Sequence, residues 1–210
     1  MATSTQEFSI EMVSVPKDCL KDVLRALLHS IFFHRLLVNV TPLELHVLDT
    51  TISTTDSPEI KEMIEEKITE FYQSIENNVK QGKISILFYE KKQKKNWFQF
   101  SKSEELSCWE QWALTIGVAF PENEHEQHRL HIACERQLSQ CLLAILKLAN
   151  DHKEHIPSIT FQNIPNLMTK EKSQTTTKES NDNNDKNEYE GYVDIVIGNN
   201  DNNNYKRWIA

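Results

Sequence analysis

Glycine is scarce in this chain, with only four among 210 residues and no two close together. Loops that hold a nucleotide phosphate need several glycines at fixed spacing, because the backbone must approach the phosphate closely. The sequence therefore contains neither a P-loop nor a dinucleotide-binding fingerprint. Its composition argues against a nucleotide-dependent enzyme.

A positive net charge and long apolar runs are also missing. The formal net charge is -8, whereas nucleic-acid-binding proteins usually carry a basic surface. The most apolar stretch, Leu24–Val40, is interrupted by charged and histidine side chains, so no segment predicts a transmembrane helix. Glu7 and Glu11 stand where a signal peptide would be basic and then apolar. We expect a soluble, cytoplasmic protein that does not bind nucleic acid.

The four cysteines, Cys19, Cys108, Cys134 and Cys141, show no paired spacing. Unpaired cysteines of this kind are typical of small core residues in a reducing compartment. A cysteine nucleophile stays open as an alternative, because its histidine partner is often distant in sequence. Cys108, next to Trp109 and beside a predicted loop, is the cysteine that such an enzyme would use.

Three histidines, His125, His128 and His131, occur at spacings of three residues. The metalloprotease pattern requires the second histidine four residues after the first, and Arg129 occupies that position. No cysteine or carboxylate stands at zinc spacing beside them. We interpret the histidines as a solvent-facing polar stripe and predict no metal site, no cofactor and no catalytic residue.

Hydrophobic spacing predicts an α+β domain. Apolar residues recur at every second position, as in half-buried strands, in five segments. These are Phe8–Met12, Leu43–Val47, Ile84–Tyr89, Trp112–Phe120 and Val193–Ile197. Three amphipathic helices are predicted to begin at Pro16, at Asp56-Ser57-Pro58 and at Pro121. The first is predicted to end at His34-Arg35 and the second at Gly82, and the apolar stripe of the third runs to Leu148. Thr50–Thr55 is predicted as a turn, and His152 and His155 are predicted to cap a helix end.

Composition divides the chain into four parts. Residues 1–164 contain the periodic segments and are predicted to form one core domain. Residues 165–188 are almost entirely polar and charged, so they cannot bury enough apolar area to offset their conformational entropy. We predict that this segment is a disordered loop, that residues 189–198 return to the sheet as a late strand, and that residues 199–210 form a flexible tail.

Three aromatic residues follow a run of lysines between the two central strands. Lys91–Phe100 contains four lysines and then Trp97, Phe98 and Phe100, in a loop too long for a tight hairpin. Continued alternation would place Trp97 opposite Phe98 and Phe100, so that one core could not bury all three. The rings either close the end of the core or form an exposed finger. We favour the finger, because clustered exposed apolar groups mark interaction sites.

Several of these features together resemble the autophagy-related protein 101 family. The resemblance covers roughly Phe8–Pro157, and the Trp-Glu-x-Trp pair behind a lysine-rich finger is its most specific part. Its motifs are a helix ending at His34-Arg35, the strand end Phe88-Tyr89-Glu90-Lys91-Lys92, the finger with Trp97, and Trp109-Glu110-Gln111-Trp112. The family finger often reads Trp-Pro-Phe, whereas this chain has Trp97-Phe98-Gln99-Phe100, so that either phenylalanine could be the second ring.

The resemblance implies a HORMA-like fold, in which about three helices pack on an antiparallel sheet and a C-terminal segment rearranges in relatives. It implies a non-enzymatic adaptor that pairs with the HORMA domain of autophagy-related protein 13 and stabilises it within the autophagy-initiation kinase complex. Trp97, with Phe98 or Phe100, would recruit downstream factors to the phagophore assembly site. His34 and Arg35 match the family and serve either as helix caps or as a partner interface.

Two other functions are compatible with the sequence. A HORMA adaptor of another pathway would grip a short peptide under its C-terminal strand. A cysteine-dependent enzyme would use Cys108, and a thiol-reactive probe would label it faster than the other three cysteines.

Overall fold

A computed structural model describes residues 5–36, 41–75, 80–94, 103–157 and 191–199. Its strands are β1 (Gln6–Pro16), β2 (Pro42–Val47), β3 (Thr50–Thr55), β4 (Gln81–Lys94), β5 (Ser103–Ala119) and β6 (Gly191–Asn199). Its helices are α1 (Leu20–Arg35), α2 (Pro58–Ile75) and α3 (Glu124–Asp151). The predicted α+β class and the late strand are confirmed. The predicted disordered loop lies outside the described residues, so the domain boundaries stay predictions.

Four strands form the main sheet in the order β1-β5-β4-β6. β4 is antiparallel to both of its neighbours, whereas β1 runs parallel to β5. The sheet is therefore mixed, and the expected antiparallel arrangement is wrong for β1, because β1 and β5 enter the sheet from the same end. β2 and β3 form a separate antiparallel hairpin. Three helices on a sheet that is closed by a C-terminal strand agree with the expected HORMA-like fold.

The core lies between the main sheet and the helices, with α1 at its centre. α1 contacts α2, α3 and the β2–β3 hairpin, and it buries residues on most of its circumference. The sheet contributes alternate residues such as Ile84, Ile86, Trp112 and Leu114, all fully buried. Each such side chain stabilises the fold by about 1.5–3 kcal/mol. No helix among the described residues is long and apolar enough to cross a membrane.

The predicted turn at Thr50–Thr55 is wrong, because these residues form β3. Val47 pairs with Thr50, so the turn consists of Leu48 and Asp49, and Leu48 has a positive φ of 51°. A threonine-rich segment resembles a polar loop in composition, but β-branched side chains favour the extended backbone.

Two predicted helix boundaries are also wrong. Pro16 is the last residue of β1, and α1 begins at Leu20. Gly82 lies in β4 and does not end α2. A Cβ atom at Gly82 would lie 2.6 Å from Cζ of Phe71, so the glycine permits α2 to pack closely on the strand.

The predicted start of α2 is confirmed by its cap, whereas α3 begins at Glu124, three residues after the predicted Pro121, and has its own cap. Ser57 Oγ accepts a hydrogen bond from the backbone N–H of Ile60 at 3.3 Å. Asn123 Oδ1 accepts one from the N–H of Glu126 at 2.9 Å, and the Glu126 carboxylate accepts one from the N–H of Glu122. These bonds satisfy N–H groups that have no partner within the first helical turn.

Candidate functional site

The β4–β5 hairpin extends beyond the rest of the main sheet. Its register runs to the pair Lys94 and Ser103, whereas β6 pairs with β4 only as far as Glu90 and β1 reaches β5 only at Glu110. We call the two-stranded extension, Lys91–Lys94 with Ser103–Leu106, the arm. No third strand among the described residues pairs with it. At about 3.3 Å per residue, the arm adds on the order of 13 Å to the hairpin.

The loop between β4 and β5 is shorter than predicted, because part of it forms the arm. Strand pairing continues to Lys94 and resumes at Ser103, so the first lysines belong to a strand. Apolar residues do not alternate along Lys91–Lys94, so its sequence does not predict a strand. Trp97, Phe98 and Phe100 lie outside the described residues, in the connection between the two strands of the arm. The finger stays a prediction.

A β-bulge lies at the base of the arm. Phe88 pairs with Glu110 and Tyr89 pairs with Cys108, so Trp109 is the additional residue on β5. Trp109 and Glu110 are consecutive, yet 4% and 0% exposed, because a bulge redirects one side chain relative to the regular alternation. The Trp109 and Phe88 ring centroids are 5.5 Å apart. The bulge thus places a carboxylate inside the core.

Glu110 lies where β5, α1 and the chain after α3 meet. Its carboxylate accepts hydrogen bonds from Nε of Arg35 at 2.7 Å and from the indole N–H of Trp112. Nε2 of His155 lies 2.6 Å from the other carboxylate oxygen. Both oxygens are therefore paired, as a buried charge requires. We call Arg35, Glu110, Trp112 and His155 the junction.

Arg35 also caps a helix, although not the one predicted. Its guanidinium donates to the carbonyls of Ala149 at 3.0 Å and His152 at 3.2 Å. These carbonyls belong to the C-terminal end of α3, where the helix dipole favours a cation. The predicted capping role of His155 is wrong, since its ring contacts Glu110.

The structure places His34 and Arg35 in different environments. Arg35 is 1% exposed, and its guanidinium contacts Glu110 and the end of α3. His34 is half-buried, and burial, helped by Arg35 and Lys153, lowers its pKa. Its ring stacks edge-on against Phe33 at 5.5 Å. A partner contact through either residue stays a prediction.

None of the four cysteines has the environment of a nucleophile. Burial raises the pKa of Cys108 and Cys141, that of Cys19 to about 11 and that of Cys134 to about 12. A reactive cysteine needs the opposite shift, because the thiolate is the nucleophile. This arrangement does not favour cysteine-dependent catalysis, at Cys108 or elsewhere.

The three histidines of α3 do not share one environment. His125 and His128 are exposed, as predicted. His131 is partly buried, and its Nε2 lies 2.9 Å from Oδ2 of Asp18. The thiol sulfur of Cys19 lies 3.7 Å from both ring nitrogens of His131. The expectation of a purely solvent-facing stripe is therefore wrong for His131.

Neither the junction nor the contacts of His131 with Asp18 and Cys19 were predicted from the sequence, and the reason is the same for both. Arg35 and Glu110 are 75 positions apart, and Cys19 and His131 are 112 positions apart. No local motif connects such residues. Glu110 carried one usable signal, because it interrupts a strand between two tryptophans, and a charge at such a place needs a buried partner.

Comparison with known proteins gives one consistent family. Residues 12–163 match the family model of Autophagy-related protein 101. The protein of that name from Arabidopsis thaliana is 32% identical over 162 residues, which cover 67% of this chain and 74% of the relative. Its counterpart from Schizosaccharomyces pombe is 30% identical over 125 residues, or 59% of this chain and 65% of the relative. The second match thus spans just under two thirds of that relative.

The family match includes the helices, the β4–β5 hairpin and the junction. It extends over more than half of the chain, so it concerns most of the folded core and not one motif. The chain therefore belongs to the autophagy-related protein 101 family and acts in autophagy.

Proposed function

We propose that this protein is a non-enzymatic adaptor of autophagy initiation. It pairs with the HORMA domain of autophagy-related protein 13, stabilises that domain within the initiating kinase complex, and recruits downstream factors through an aromatic finger. It acts in the cytoplasm and at the phagophore assembly site when autophagy is induced. Family membership supports the process, and the arm supports the mechanism.

The arm is the observation that carries this proposal. It extends past both neighbouring strands, so the connection between its strands starts away from the core. That connection contains Trp97, Phe98 and Phe100. Leu106, on the arm itself, is 51% exposed. An aromatic anchor held at the end of a ribbon can enter a pocket on another protein, and such anchors supply most of the binding free energy.

The pairing surface is assigned to the β1 edge of the main sheet together with α3. β1 has a strand neighbour on one side only among the described residues. α3 packs beside it, and Sγ of Cys141 lies 3.6 Å from the carbonyl oxygen of Glu11. α3 exposes Leu143 at 66% and Leu146 at 48%. An open edge beside apolar helix residues can provide the roughly 1,600 Å² that a stable pair buries.

Light scattering after size-exclusion chromatography tests the pairing. The full chain is measured alone and mixed with the HORMA domain of autophagy-related protein 13 from the same host. We expect a one-to-one complex, and we expect Leu143→Asp/Leu146→Asp to weaken it because both leucines would be buried in the pair. Exposed His128→Asp on the same helix is the matched control. An unshifted, folded monomer would refute the pairing and favour the peptide-gripping alternative.

The finger is tested with Trp97→Ala in cells that lack the endogenous protein. We expect the variant to pair normally and to unfold at the wild-type temperature, but to restore few autophagosomes, since losing such an anchor costs about 2 kcal/mol or more of binding. Pairing is measured by co-precipitation, and autophagosomes are counted after starvation.

Trp109→Ala shows, for comparison with Trp97→Ala, how the protein responds when a buried tryptophan is lost. Trp109 is buried against Phe88, so its truncation should destabilise the fold by about 3–5 kcal/mol and impair pairing and recruitment together. If Trp97→Ala behaves in the same way, then Trp97 is a core residue and the finger hypothesis is wrong.

The peptide-gripping alternative makes a different prediction for β6. β6 pairs with β4 from Glu90 to Gly82, so it occupies the edge that a peptide strand would use. A ligand at that edge would have to displace β6. Hydrogen exchange in β6 that stays unchanged on adding a partner would therefore count against this alternative.

A further inference from the structure

We propose that Asp18, Cys19 and His131 form a binding site for a divalent transition metal of the zinc class, which fastens the start of α1 to α3. The proposal is independent of the pairing and finger described above. It concerns the opposite strand end from the arm, where β1 leads into α1.

The three donor groups are held in place by surrounding contacts. Asp18 and Cys19 lie in the turn between β1 and α1, and the backbone N–H of Cys19 donates to the carbonyl of Pro16 at 3.0 Å. Oδ2 of Asp18 accepts a hydrogen bond from Nε2 of Gln127 at 3.1 Å. His131 follows Gln127 by one helical turn, so both project from the same face of α3. The protein thus positions the donors without a metal.

The donor spacing is close to that of a tetrahedral site. Zinc bonds of about 2.0–2.3 Å place neighbouring ligand atoms on the order of 3.5 Å apart. Asp18 Oδ2 and His131 Nε2 are 2.9 Å apart, and Cys19 Sγ is 3.7 Å from His131. The three donor atoms all lie within 4.8 Å of one another.

The chemistry of the donors selects the metal class. A thiolate, an imidazole and a carboxylate together suit zinc and its neighbours, whereas magnesium and calcium prefer oxygen ligands alone. The Asp18 side chain is 50% exposed and that of His131 is 34% exposed, so an ion can reach the site and a water molecule can take the fourth position. Cys19 is only 3% exposed, so the protein would shield a metal–sulfur bond from solvent.

The local potential also favours a cation. The carboxylates of Asp18, Asp22 and Glu135 all lie near the Cys19 thiol. A divalent ion bound to the thiol sulfur would be attracted by these negative charges. The cluster therefore combines ligand geometry with a favourable field.

Cobalt(II) titration of the reduced full chain tests the proposal. We expect one equivalent to bind and to produce a sulfur-to-cobalt charge-transfer band in the near ultraviolet, which zinc then removes by displacement. Cys19→Ser should abolish the band. Asp18→Asn and His131→Gln should each weaken binding at least about tenfold.

Two variants control for other metal-binding groups. Cys141→Ser removes a buried cysteine elsewhere on α3, and His125→Gln/His128→Gln removes the exposed histidines. Both should keep the charge-transfer band and the wild-type affinity. If the band is absent from the wild type, or persists in Cys19→Ser, the proposal is wrong and the cluster is only an ion pair beside a buried thiol.

Thermal unfolding gives a second readout that does not depend on Cys19→Ser folding. Zinc binds the native site, so it should raise the Tm of the wild type. His131→Gln replaces a partly exposed side chain and should fold normally, but zinc should leave its Tm unchanged. An equal zinc-induced increase in both proteins would overturn the proposal.

Discussion

His29 is the clearest case of one residue whose chemistry is set by its surroundings. It is buried in α1, and Oγ1 of Thr54 lies 2.7 Å from its Nδ1. Burial lowers its pKa to about 4, with Arg25 and Lys61 adding to the shift and Glu65 opposing it. At neutral pH the imidazole is therefore uncharged and connects α1 to β3.

This residue should make the fold sensitive to mild acid. Between its ordinary pKa of 6.5 and about 4, the unfolded chain binds the proton and the folded chain does not. His29 therefore contributes stability above this window and loses it as the pH falls, by about 2 kcal/mol between pH 7 and pH 5. Urea unfolding at both pH values should show a smaller decrease for His29→Gln than for the wild type.

His128→Gln is the control for that measurement, because His128 is exposed on α3. Its unfolding free energy should fall with pH as the wild type does. If His29→Gln keeps the wild-type decrease, another group is responsible for the acid sensitivity.

Single residues also show which local signals are reliable. The caps at Ser57 and Asn123 act within three residues, so the sequence around them contains both partners. Gly82 carries no such local information. Its role depends on Phe71 of α2, and the sequence alone made a helix end equally plausible.

At the scale of secondary-structure elements, the junction fastens the C-terminal ends of α1 and α3 to β5. Nε of Arg35 and Oε1 of Glu110 form an ion pair, and the two side chains are only 2% and 0% exposed. Arg35 also donates hydrogen bonds to carbonyls at the end of α3. Removing one member of a buried pair leaves the other charge without compensation. The junction therefore determines how these elements meet.

We predict that Arg35→Ala lowers the free energy of unfolding by about 3–5 kcal/mol, measured by urea denaturation. Arg25→Ala on the same helix is the matched control. Arg25 pairs with Asp22 and Glu65, but these side chains are 25–45% exposed, so its loss should cost about 1 kcal/mol or less.

The double variant Arg35→Met/Glu110→Leu separates charge from packing. It removes both charges and restores apolar volume, so it should recover part of the stability lost in Arg35→Ala. A double variant less stable than Arg35→Ala would show that the bonds of Glu110 to Trp112 and His155 stabilise the fold by more than the uncompensated carboxylate destabilises it.

Strands without regularly spaced apolar residues were the hardest to predict. The arm and β3 each pair across a hairpin, but apolar residues do not alternate along either sequence, although β3 buries Ile52 and Thr54. The helices were easier, since one side of each packs on the core and leaves a periodic apolar stripe.

At the scale of the whole molecule, the main sheet joins distant parts of the chain. β1 pairs with β5, and β6 returns to pair with β4, so both edge strands come from the ends of the described chain. The arm and the β1 edge lie at separate parts of this sheet. The proposed adaptor can therefore hold one partner at the edge while the finger contacts another.

The sequence by itself determined the α+β class, the three helices, the core strands and the family resemblance, because each depends on periodicity or on a short motif. Only the tertiary structure decided that Glu110 is buried against Arg35, that His131 lies beside Asp18 and Cys19, and that β4 and β5 continue as an arm. The first two of these features depend on residues far apart in the chain. Such contacts leave no local pattern, since the physical requirement is met by a partner that only folding brings near.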